Sequence, residues 1–188
     1  EVLYDNLRLR NTRGNLQIAN ESATLENVSA EIFNGKINLN GTVTTGEPIP
    51  NFAMNLDLNA IDIAQAFQDM ELLQNLAPIA QALQGNLNTQ IELKGDLKEN
   101  LTPQLQTLAG NALAEIIGAK VNPSQTPLLA QLDQNLNFVD LNNLNLKDLK
   151  TQLRFDNGSV KVQPFDFNIK GIQATASGSH SFNKDMNY

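Results

Sequence analysis

The chain has one histidine, His180, and it stands among hydroxyls: Ser177, Ser179 and Ser181 lie within three residues of it. An imidazole beside a hydroxyl is the pair that nucleophilic hydrolysis uses, the ring taking the proton as the oxygen attacks. These three serines are too close to the histidine along the chain to form the usual constellation. His180 is therefore expected to be solvated and idle. The carboxylates nearest a turn are Asp57 and Asp62, at a strand-to-helix junction, and Glu92 and Asp96, at a strand end. General acid–base work needs a carboxyl whose burial raises its pKa. Alternation puts Asp57 and Glu92 on a wet face, and Asp62 has the position of a helix cap. None of the four is expected to be catalytic.

Other chemistries fail on composition. There are no cysteines, which removes disulfides, thiolate metal sites and thiol nucleophiles. One histidine and scattered carboxylates lack metal-ligand spacing. Neither a GxGxxG loop nor a GK[ST] loop occurs, so no phosphate cradle is expected and no cofactor is called for. The formal net charge of −7, with acidic and basic residues interspersed, speaks against nucleic acid. Asn-x-Ser/Thr sequons at Asn20, Asn27, Asn40, Asn100 and Asn157 arise by chance in so Asn-rich a chain. The sequence predicts a protein without enzymatic activity.

What remains is a pattern of elements. The 188 residues are 41% hydrophobic and 18% charged, the composition of a folded chain, with Leu and Asn prominent and no Trp. Phe52, Met54, Leu56 and Leu58 alternate with Ala53, Asn55, Asp57 and Asn59, and Ala60 continues the apolar set. Period two places such residues on one face of a strand. Leu87, Thr89, Ile91 and Leu93 repeat the arrangement, as do Leu149, Thr151, Leu153 and Phe155, and then Phe165, Phe167 and Ile169. One dry face and one wet face imply antiparallel pairing. Asn34-Gly35 and Asn157-Gly158 have the composition of tight hairpin turns. A weak internal repeat relates Gly14–Gly41 to Gly158–Gly178, each read as a three-strand meander.

Two helical segments interrupt the strands. Asp62, with Gln65 three residues on, predicts an N-cap, followed by a face of Ile63, Phe67 and Met70; Pro78 then forces a break or a new start. Thr126-Pro127 opens a second segment with Leu128, Leu132 and Leu136 on one stripe. A third short turn is expected near Thr102–Leu108. The fold expected is α+β, predominantly β: an antiparallel meander sheet with one apolar face, partly covered by two or three short helices. Its divisions are a first meander over 1–60, a helical insertion over 61–83, and a second sheet portion over 84–188 with a helix near 127–136. The candidate functional surface is the apolar face: Phe52, Met54, Leu56, Leu58, Leu87, Ile91, Leu93, Leu153, Phe155, Phe165, Phe167 and Ile169. It is either an ordinary core sealed by helices or an exposed surface that meets lipid or a partner.

The order of these segments resembles the C-terminal region of AsmA-like envelope proteins, which are related to TamB. The resemblance rests on Asn59-Ala60-Ile61-Asp62-Ile63, Leu76-Ala77-Pro78-Ile79-Ala80, Gly85-Asn86-Leu87, Leu93-Lys94-Gly95-Asp96-Leu97 and Leu108-Ala109-Gly110-Asn111-Ala112. It continues through Leu149–Gly158, Pro164-Phe165-Asp166-Phe167, and the closing Gly178 and Tyr188, in a flavour similar to the versions of Bacteroidetes-type bacteria. No single motif is specific; the order carries the likeness, from about Asn34 onward. The resemblance implies a periplasmic body on an inner-membrane anchor, and a β-groove similar to that of bridge-like lipid transfer proteins. It further implies phospholipid or another acyl-chain lipid as partner and a part in outer-membrane assembly or lipid transport. The chain opens at Glu1 without an apolar leader, so a fragment of a longer protein is expected, with the anchor outside it. The alternative is a structural or adhesive β-module binding protein or glycan.

Overall fold

The computed structural model describes residues 1–4, 7–70, 73, 78–125, 130–131, 145–146, 149–169, 172–182 and 186–187. The chain is predominantly β, with β1 (Val2–Tyr4), β2 (Leu7–Ala19), β3 (Ser22–Ile32), β4 (Gly35–Thr44), β5 (Asn51–Asp62) and β6 (Leu83–Asp96) in its first half. The second half holds β7 (Ala109–Val121), β8 (Asn145–Leu146), β9 (Leu149–Asp156), β10 (Ser159–Ile169), β11 (Ile172–Ser181) and β12 (Met186–Asn187). All pair antiparallel in one sheet of order β1-β2-β3-β4-β5-β6-β7-β9-β10-β11-β12, with β8 beside β7. The expected antiparallel meander is thus observed. The two sheet portions divided by the helical insertion are one sheet, because β5 and β6 pair from Asn51↔Asp96 to Asp62↔Asn86.

Tight turns set the registers. Asn157 and Gly158, at φ 47° and 72°, close a two-residue loop between Asp156 and Ser159, as their composition predicts. The other expected turn is displaced by one residue. Ile32 pairs with Gly35, so the loop residues are Phe33 and Asn34, both at positive φ. Gly35 is instead the first residue of β4, buried where β4 meets the end of β5.

Several strands carry register shifts, the mark of β-bulges that bend and twist a strand. One separates Leu58 from Ile61 in β5, and Ala60 sits there at φ 56°. Ala60 is therefore exposed rather than part of the apolar face, and Ile61 takes the buried position one residue later. A second lies between Leu25 and Val28 in β3, with Asn27 at φ 51°. A third separates Val162 from Phe165, and β10 runs through it as one strand. The segment Gly158–Gly178 is accordingly two strands, not the expected three. Pro164 is exposed in that irregularity, a place where a residue without an N–H is tolerated.

The helical expectations are met in part. The α-helix α1 (Ile63–Asp69) starts with Asp62 Oδ1 accepting from Gln65 N–H at 3.1 Å, the predicted cap. Its buried residues are Ile63 and Ala66; Phe67 and Met70 are half-buried. Short 3-10 turns follow at Pro78–Ala82, the new start that Pro78 requires, and at Leu105–Thr107 and Pro123–Gln125. The helix expected near 127–136 falls outside the described residues except for 130–131.

Candidate functional site

Directly opposed residues of an antiparallel ladder share a face, so the register shows which side chains form the apolar surface. One row across the sheet is Leu16, Leu25, Gly41, Met54, Leu93, Gly110, Phe155, Val160 and His180. The next is Leu39, Leu56, Ile91, Ala112, Leu153, Val162 and Gly178. A third joins Ala30, Ile37, Leu58, Thr89, Ala114 and Thr151, and a fourth Ile61, Leu87, Ile116 and Leu149. These rows cross from the first half of the chain to the second without changing face.

The predicted residues fall on this surface. Phe52 and Phe155 are buried; Met54, Leu56, Leu58, Leu87, Ile91, Leu93 and Leu153 are half-buried on the same side. Phe165 and Phe167 are half-buried with ring centroids 5.9 Å apart, and they pack beside Ala119 and Leu149. Ile169 pairs with Ile172 at the end of β10; its side chain is outside the described set. Thus Leu56 and Ile91 are directly opposed and Leu153 follows beyond Ala112, whereas Phe165 and Phe167 lie toward the Leu149 end of the strands.

The two ends of the face are covered. At one end Leu97, Leu105 and Leu108 fold over Phe52 and Met54. Gly95 makes room, since a Cβ there would stand 3.0 Å from Leu108 Cδ2. At the other, α1 packs on β6 and the end of β5, burying Ile61, Ile63 and Ala66. Phe182, beyond β11, packs against the first of these clusters and against the neighbouring one of Ala112, Phe155 and Val160.

Several contributors to this surface are missing from the sequence-derived set. Leu16, Leu25, Leu39 and Val43 extend it through β2–β4; β4 alternates without interruption, whereas Leu25 and Val28 share the face only across the bulge in β3. Strand β7 supplies Ala112, Ala114 and Ile116. Its contrast is weak, because Leu113 and Ile117 face the polar side and alanines line the apolar one.

His180 is 5% exposed, against the expectation of a solvated ring. Its strand position pairs with Val160, so it belongs to the apolar row, and it meets Phe182 edge-on with centroids 6.2 Å apart. Ser179 pairs with Lys161 and Ser181 with Ser159, in the alternate register. Strand geometry therefore sends these hydroxyls to the face opposite the imidazole, and a hydrolytic pair is not assembled. Asp57 and Glu92 are exposed on the polar face, as predicted; Glu92 stands in a row with Asn55, Asn111, Arg154 and Lys161, and Asp57 in the next, beside Gln90. Among the described residues no cluster of three metal-ligating side chains occurs, and no helix is long and apolar enough to cross a membrane.

Among the described residues the rows form one largely aliphatic face, whose polar members are Thr89, Thr151 and His180. Comparison of the chain with protein-family models, with curated proteins and with solved structures finds no match.

Proposed function

We propose that this chain is a non-enzymatic part of a bacterial envelope protein, and that it supports outer-membrane assembly or phospholipid transfer by shielding acyl chains along the apolar face of its sheet. The reading is supported by one observation above others: apolar rows that cross the sheet from β3 to β10 on one side, with the amide and charged rows on the other. Moving one CH₂ into water costs about 0.8 kcal/mol, so a chain of about 16 carbons costs on the order of 12 kcal/mol. A continuous apolar strip offsets that cost by contact area alone. It needs no polar constellation, which agrees with the scattered acids and the buried His180. In this reading α1 and the 97–108 connection are partial lids, and the working surface is the row that holds Leu56, Ile91 and Leu153. The periplasm, and an inner-membrane anchor elsewhere in the protein, belong to the same proposal.

The test is native mass spectrometry of the chain purified from bacterial cells without detergent. Bound phospholipid is expected, and the Leu56→Ser/Ile91→Ser variant should lose most of it while keeping its β-sheet circular dichroism. Lipid-free protein, in a preparation whose fold is intact, would overturn the proposal.

A further inference from the structure

At one end of the sheet three connections are tied to each other. Thr45 N–H donates to Glu21 O at 2.8 Å, which joins the β4–β5 connection to the β2–β3 hairpin. Leu97 N–H donates to Pro50 O at 2.7 Å, which joins the β4–β5 connection to the one after β6. The result is a rim, braced by backbone hydrogen bonds, and it carries aliphatic side chains into solvent. Ile18, the last but one residue of β2, is 75% exposed; Ile49, between Pro48 and Pro50, is 54% exposed; Leu101 is 52% exposed.

Leu101 is the most informative. It sits at φ 61° in a turn where Leu101 N–H donates to Lys98 O at 2.8 Å and Asn100 Oδ1 accepts from Thr102 N–H at 3.2 Å. That region of backbone space favours Gly or Asn, and a branched aliphatic residue is disfavoured there. Local folding therefore gives no reason for a leucine, and neither does burial. An outward-facing role does.

We infer that this rim docks on an electrically neutral lipid–water interface, inserting Ile18, Ile49 and Leu101 between headgroups. Three observations select that occupant. Ile49 and Leu101 stand singly on separate connections and Ile18 at the end of β2, an arrangement suited to a fluid surface that needs no complementary shape. The charge around them is mainly acidic, with Glu21, Glu47 and Glu99 exposed beside Lys98, so an anionic surface is repelled and the outermost ammonium groups of zwitterionic lipids are complementary. Ile18 also pairs with Ala23, and Ala23 with Val43, so the apolar face reaches the rim at β2–β4, beside the part capped by Leu97, Leu105 and Leu108. The inference is separate from lipid carriage: a rim can dock while the face behind it carries nothing.

Flotation of the full chain with phosphatidylcholine/phosphatidylethanolamine vesicles tests it. Co-flotation is expected, weakening when phosphatidylglycerol replaces half of the lipid. Each of Ile18→Ser, Ile49→Ser and Leu101→Asn should lower the partition coefficient about tenfold. Leu101→Asn suits the backbone, so its thermal midpoint should stay or rise, and lost binding cannot then be put down to misfolding. Equal flotation of the triple variant, no flotation on neutral vesicles, or tighter binding to the anionic ones would each overturn the inference. So would a dimer, seen by sedimentation without vesicles, that the same substitutions dissociate. Native mass spectrometry reads bound lipid independently, so failure of docking and failure of carriage are distinguishable.

Discussion

At Gly35 one added carbon would run into Asn59 O and land 2.7 Å from the Ala60 carbonyl carbon. Both are backbone atoms, held by the bulge that ends β5, so neither can yield as a flexible side chain would. Gly118 is the opposite case: its φ of 66° is unfavourable for L-residues, but nothing lies within 4 Å of the missing Cβ. The two glycines are therefore needed for different reasons. Gly35→Ala should cost about 2–4 kcal/mol through overpacking, whereas Gly118→Ala should cost about 1 kcal/mol, and Gly118→Asn less. Urea denaturation with unchanged m-values would check this. Equal costs would mean that the contact at Gly35 relaxes. His180 shows the same dependence on surroundings. Its sequence neighbours are small and polar and suggest solvent, yet its register beside Val160 puts it in the apolar row.

Bulges decide where each element turns its faces. In β3 the N–H of Asn27 donates to Asn40 Oδ1 at 2.8 Å, and in β5 the N–H of Ala60 donates to Asn88 Oδ1 at 2.8 Å. Each pairs the left-handed residue of a bulge with an asparagine on the next strand, occupying an N–H that the ladder has released. Asn88→Ala should destabilise the protein by about 1 kcal/mol, and Asn88→Asp, which retains the acceptor, by less. Chemical denaturation of both variants gives the answer, and identical losses would show that the amide acts in some other way. The bulges also explain what the sequence reveals. Strands β5, β6, β9 and β10 were legible because Leu, Ile and Phe alternate sharply with Asn, Asp, Gln and Lys. The cap at Asp62 and the turn at Asn157-Gly158 were legible because few residue types serve those positions. A bulge shifts parity by one residue, which in sequence looks like a turn: hence Ala60 was misassigned to the face, and β10 was divided in two. β7 was obscured by its alanines, whose burial gives little contrast. The face residues between Phe52 and Phe155 were recovered, and the alternation around Leu16 and Leu39 was legible as part of the repeat, but that these and Leu25 share the same face follows only from the pairing.

For the whole molecule, the question is whether the apolar face is closed. The chain exposes 11857 Å², whereas a compact protein of 20.6 kDa exposes about 8,900 Å². An excess of about 3,000 Å² is what an open, largely single-layered sheet would add. Burial on folding is correspondingly smaller, and heat capacity reports it. A compact chain of this length would unfold with ΔCp of about 2.5 kcal/mol/K. At about +0.45 cal/K/mol/Å² for apolar and −0.26 for polar area, the missing burial removes about 0.4–1.3 kcal/mol/K, depending on how apolar it is. Scanning calorimetry of monomeric protein should therefore give ΔCp near 1.2–2.1 kcal/mol/K. The sealed-core alternative, a β-module binding protein or glycan with its helices closed over the sheet, requires the full value. The capped end around Phe52, Leu97 and Leu108 shows how such closure would look, and among the described residues it is local. If short-chain phospholipid fills the strip, the midpoint should rise with lipid concentration, because a ligand held only by the folded state stabilises it. Full ΔCp together with an unmoved midpoint would mean that the face is already dry, and lipid carriage would have no surface left to act on.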